Sequence, residues 1–111
     1  MSEPLHVKQL LRFLEQSIFE MTQWVVFEPN DERLWIRVAE TVRAFLRTQW
    51  QGGALVGQSE KEAFFVKCDR SVMTEDDILR GHLICVVGVA PARPAEFVIF
   101  RIFQKTADAS A

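Results

Sequence analysis

Residues Glu96 to Gln104 constrain the fold most: along an extended strand Phe97, Ile99 and Phe103 fall on one face, and Val98, Phe100 and Ile102 on the other. A strand that is apolar on both faces needs cover on both. The remaining sequence supplies only two long amphipathic helices, too few to sandwich a sheet. Either this strand sits centrally beneath both helices and the loops, or some apolar sheet surface meets another chain.

The first helix is expected from about Leu5 to Met21, where Leu10, Leu11, Leu14, Ile18 and Met21 recur at spacings of three and four. Trp24 to Phe27 is a compact run of β-branched and aromatic residues that reads as a short buried strand, stopped by Pro29, which has no amide proton to donate. Asn30 or Asp31 then caps a second helix over roughly Glu32 to Trp50, with Leu34, Trp35, Val38, Val42, Phe45, Leu46 and Gln49 as its apolar stripe. Gly52-Gly53 supplies a left-handed exit.

Beyond the glycines, Ser59-Glu60-Lys61-Glu62 has capping-box spacing, and Ala63 to Cys68 reads as a strand. Thr74 to Leu79 reads as a helical turn closed by Gly81, and His82 to Ala90 as another strand with a possible bulge at Gly88. Pro91-Ala92-Arg93-Pro94 makes the reversal into the last strand. These elements predict an α+β fold, with two amphipathic helices packed on a small mixed or mainly antiparallel sheet of about four strands.

A chain of 111 residues, 49% hydrophobic and 25% charged, fits one domain with a real core, here residues 1–111, with 107–111 expected as a disordered tail. A formal net charge of -2 argues against binding nucleic acid or anionic membrane. The polar start Met1-Ser2-Glu3-Pro4 has no signal-peptide character and no run reaches membrane-spanning length, so a cytoplasmic protein with reduced Cys68 and Cys85 is expected.

Constellations that carry chemistry are sparse. Cys68, His82 and Cys85 are of ligand type for zinc, but they lack a Cys-x-x-Cys pair and a fourth ligand, and cysteine in a strand is more often a small buried hydrophobe. Glu75, Asp76 and Asp77 fit the first turn of a helix capped by Thr74 better than a carboxylate site. With no phosphate loop, nucleophile elbow or His-Glu-x-x-His helix, neither a cofactor, a metal nor an enzyme activity is expected. The stripe of Arg33, Arg37 and Arg47 on the second helix is by itself a solvated face.

Several separate blocks, in order, carry a resemblance. Gln23-Trp24-Val25-Val26-Phe27-Glu28-Pro29-Asn30-Asp31, Glu62-Ala63-Phe64-Phe65-Val66-Lys67-Cys68-Asp69, Met73-Thr74-Glu75-Asp76-Asp77-Ile78, Gly88-Val89-Ala90-Pro91 and Pro94-Ala95-Glu96-Phe97-Val98-Ile99-Phe100-Arg101 together resemble the C-terminal domain of contractile tail sheath proteins. The likeness runs from about Val7 to Thr106. It implies a structural subunit of the sleeve of myophage tails, tailocins and related injection machines. In that family the domain forms the inner layer against the tail tube, and terminal segments add strands to the sheet edge of a neighbour.

Carried onto this chain, the resemblance makes Glu96, Phe97, Val98, Ile99, Phe100, Arg101, Ile102, Phe103 and Gln104 the subunit-linking strand. Arg33, Arg37, Arg43 and Arg47 become the candidate contact with the tube. The implied partners are neighbouring sheath subunits, as a homo-oligomer, and the inner tube protein, with no nucleic acid and no membrane contact by this domain. The implied location is the producing bacterium's cytoplasm and then the assembled tail. Sheath proteins are much longer, so an excised domain or a short stand-alone relative is expected, the latter as a baseplate or capping module that binds one partner.

Overall fold

The computed structural model describes residues 5–109. Two long helices, α1 (Leu5–Met21) and α2 (Glu32–Gln51), precede two short ones, α3 (Glu60–Ala63) and α4 (Glu75–Leu79), and three strands, β1 (Phe64–Lys67), β2 (His82–Val89) and β3 (Val98–Lys105). The strands form one antiparallel sheet in the order β1-β2-β3. The architecture is α+β, as the sequence implies.

The missing fourth strand is Trp24 to Phe27. Gln23–Phe27 is a 3₁₀ helix, closed by Val25 N–H to Thr22 O at 3.2 Å and Glu28 N–H to Val25 O at 3.0 Å. Two causes override the β-propensity of the run. The segment leaves α1 with Thr22 Oγ1 already donating to Ile18 O at 2.7 Å, which keeps the chain coiled at the helix end, where short 3₁₀ turns are common. In addition only Val25 is buried, while Val26 and Phe27 are 48% and 83% exposed, so no strand neighbour repays extension.

The helices cover one face of the sheet. Leu14 and Ile18 of α1 and Leu34, Trp35, Val38, Val42 and Leu46 of α2 join Phe64, Val66, Leu83, Cys85, Val87, Val89 and Ile102 in a single core. Asp31 caps α2, accepting from Leu34 N–H at 3.0 Å, and Gly53 at φ 88° makes the exit that L side chains avoid. Asn30 serves another purpose. Its buried amide accepts from Trp35 Nε1 at 2.8 Å and donates to the carbonyls of Ile78 at 3.3 Å and His82 at 3.1 Å, tying α2 to the start of β2.

Three further expectations change. The capping box lies at Thr74 and Asp77, whereas Ser59 makes no side-chain cap and Glu62 accepts from Gln58 N–H instead. Gly88 is not a bulge but stands in register opposite Phe65, whose ring lies where a side chain would go: an added Cβ would fall 2.0 Å from that ring. The expected loose tail is anchored through Ala109, because Ala107 N–H donates to Glu28 O at 2.9 Å and the Asp108 carboxylate accepts from Asn30 N–H at 2.8 Å. Residues 110 and 111 lie outside the described residues.

Candidate assembly edge

The last strand is an edge strand, not a central one. Its burial alternates along its length: Ile102 and Gln104 are buried and Val98 and Phe100 half-buried, while Ile99, Arg101, Phe103 and Lys105 are exposed. Glu96 and Phe97 precede it in the turn, where Phe97 packs edge-on against Phe65 with ring centroids 5.1 Å apart. The uncovered sheet face therefore carries Ile99 at 54% and Phe103 at 45% exposure.

The register decides which backbone groups are free. Thr106 N–H donates to Gly81 O at 2.9 Å, so those two residues form a hydrogen-bonded pair one step beyond the His82–Lys105 pair. Alternation along an antiparallel ladder then turns the amides and carbonyls of Val98, Phe100, Ile102 and Gln104 toward β2. Those of Ile99, Arg101, Phe103 and Lys105 point outward. Among the described residues no hydrogen bond reaches them, and the edge closes only past Lys105, where Glu28 O takes the Ala107 amide.

Beside this edge runs a groove. One stretch, about 400 Å³, is lined by Arg12, Glu15, Gln16 and Phe19 of α1 and by Arg101, Ile102 and Phe103. The next, about 500 Å³, is lined by Phe19, Gln23, Val26, Phe103, Gln104 and Lys105. Gln104 fixes the distance between the walls, because its buried amide donates to Phe19 O at 2.8 Å and to Thr22 Oγ1 at 3.1 Å.

The opposite edge differs. Ala90 N–H donates to Ala63 O at 2.9 Å, which by the same alternation turns the Val66 carbonyl outward from β1, and there the Arg43 guanidinium donates to it at 3.2 Å. Arg43 is thus bound to the sheet edge. Arg37 pairs with Glu28 at 3.4 Å and lies 4.6 Å from the centre of the Trp24 ring, and Arg47 pairs with Glu60. Arg33 is exposed, with no carboxylate among the described residues within ion-pairing distance.

The residues of ligand type separate. Cys68 follows Lys67, which stands opposite Val86, so Cys68 and Cys85 face each other on the core side, while His82 lies on the other face with its ring 5.0 Å from that of Phe103. Burial and the neighbouring Cys85 thiol push the Cys68 thiol up, the contact with Cys85 being the larger cause. Among the described residues no cluster of three His, Cys, Asp or Glu side chains is placed to hold a metal. Glu75 and Asp76 instead pair with Arg70 and Arg80, and the Asp77 carboxyl is held down by hydrogen bonds from Thr74. Among the described residues no helix is long and apolar enough to cross a membrane.

The family model described as phage tail sheath C-terminal domain matches residues 5–105. Similar solved structures include two cryo-EM assemblies. A cryo-EM structure of the anti-feeding prophage (AFP) baseplate, 6-fold symmetrised, contains a chain 41% identical at TM-score 0.74, with 85% of this chain and 26% of that one covered. A cryo-EM structure of an extracellular contractile injection system, the PVC sheath complex in contracted state, contains one 37% identical at TM-score 0.72, with 85% and 27% covered. The chain thus spans about a quarter of the length of these relatives. No curated protein matches it.

Proposed function

This chain belongs to the phage tail sheath C-terminal domain family, and on that premise we propose that residues 1–111 act as one inner-layer domain of a contractile sheath. In this reading the domain is a structural, non-enzymatic part that links to neighbouring subunits by strand addition and touches the inner tube. The observation that carries it is the outward row of free amides and carbonyls on Ile99, Arg101, Phe103 and Lys105. Unpaired edge groups of this kind give affinity through main-chain hydrogen bonds, and the alternate side chains give register.

The tube contact is assigned to the outer face of α2. Arg33 leads it, because Arg37 and Arg47 already have carboxylate partners and Arg43 is held by Val66. The assembled contractile particle is the implied location, after synthesis in the cytoplasm of the producing bacterium.

An Arg101→Pro substitution tests the edge. It deletes an amide proton that faces outward, and leaves the ladder to β2 intact. The variant is expected to keep its circular dichroism spectrum and lose co-sedimentation with neighbouring sheath subunits. Unchanged co-assembly by a folded variant would overturn strand addition at β3.

A second reading draws on the similarity to a chain in a baseplate assembly. The domain would then dock at one end of a sheath as a baseplate or capping module. It predicts a monomer that binds one partner at fixed stoichiometry, whereas the first reading predicts open-ended self-association visible by electron microscopy.

A further inference from the structure

We propose that the groove along β3 selects a particular chemistry of strand: one that carries two carboxylates four residues apart on the face it shares with Arg101 and Lys105. The proposal rests on the strand-addition reading and specifies the partner.

A strand laid against the open edge would present alternate side chains to two different environments. Those turned toward α1 would meet Phe19 and Val26 beside Ile102, on a wall that Arg12, Glu15, Gln16 and Gln23 complete. Those on the other face would stand in the row of Ile99, Arg101, Phe103 and Lys105, in which apolar and cationic residues alternate. Arg101 and Lys105 are exposed, and among the described residues neither has a carboxylate within ion-pairing distance. Opposite charges facing each other across a strand pair are favourable and like charges are not.

Since cations recur every fourth residue of β3, acids at the same interval satisfy both, whichever way the incoming strand runs. Between them an apolar residue would face Phe103. The α1 side of the groove brings one cation, Arg12, and one anion, Glu15, so the charge preference comes from the β3 side.

Labelled peptides of ten alternating valine and threonine residues provide the probe. One carries glutamates four residues apart on a single face, one carries lysines at the same positions, and one is the glutamate peptide interrupted centrally by proline. Fluorescence anisotropy is expected to show the glutamate peptide binding about tenfold more tightly than the lysine peptide. The margin should shrink as salt rises from about 0.05 M to about 0.5 M. In the doubly substituted chain Arg101→Glu, Lys105→Glu the preference should invert, with the fold followed by circular dichroism.

Equal, salt-insensitive binding of the glutamate and lysine peptides would overturn the charge code and leave strand addition standing. Failure of both peptides to bind, or undiminished binding of the proline-interrupted peptide, would overturn strand addition and this inference with it.

Discussion

The Arg43 guanidinium donates to the Val66 carbonyl at 3.2 Å, from the middle of α2 to the outer rim of β1. One long cation thus occupies an acceptor that a fourth strand would otherwise use, while among the described residues no side chain plugs the rim of β3 in this way. The Arg43→Ala variant should lose about 1 kcal/mol of folding stability, the scale of one hydrogen bond with a charged donor and partial exposure. Arg33→Ala should stay within about 0.5 kcal/mol, as a surface change does. Urea unfolding of both variants checks the pair.

The Asn30 amide is buried and bonded to Trp35 Nε1 and to two carbonyls. Asn30→Ala removes the acceptor for a buried indole N–H, and a cost of about 2–3 kcal/mol is expected. The denaturation midpoint should fall without a change in slope.

Gly88 gives up its side-chain space to the Phe65 ring, which in turn packs edge-on against Phe97. Gly88→Ala should therefore cost about 1–2 kcal/mol, since the ring must swing off the sheet. In the Gly88→Ala, Phe65→Ala double variant most of that cost should disappear. A double-mutant cycle measures this coupling directly.

Cys68 sets a pH dependence. Its thiol is raised in the folded chain by Cys85 and by burial, so above its ordinary value of 9.0 the unfolded chain loses a proton that the folded chain keeps. With fewer protons bound when unfolded, stability falls as pH rises past about 9, by up to about 1.4 kcal/mol per unit. Stability should be complete below that point, and Cys68→Ala should flatten the alkaline limb of a plot of unfolding free energy against pH.

Local chemistry made much of this legible. A cap at Asn30 or Asp31, the cap at Thr74, an exit at Gly52-Gly53, the helical stripes through Ile18 and Leu46 and the division of β3 into two faces follow from residue types at fixed spacings, and the structure selects Asp31 and Gly53. Trp24 to Phe27 did not, because a propensity for extension says nothing about whether a neighbour strand is present to pair with. The partners of the arginines were hidden for a similar reason: Arg43 and Val66 are 23 positions apart, and only the packing of α2 beside β1 joins them. The outward phase of β3 depends on which of its residues bond to β2, and no pattern of hydrophobicity encodes that phase.

Hydrogen exchange of the β3 amides is the most direct test. In the isolated chain the amides of Ile99, Arg101, Phe103 and Lys105 should exchange fast while those of Phe100, Ile102 and Gln104 are protected, and assembly with neighbouring sheath subunits should slow the first set to match the second. If the outward amides exchange as fast in the assembled particle as in the free chain, no strand has joined this edge, and the linkage must lie elsewhere.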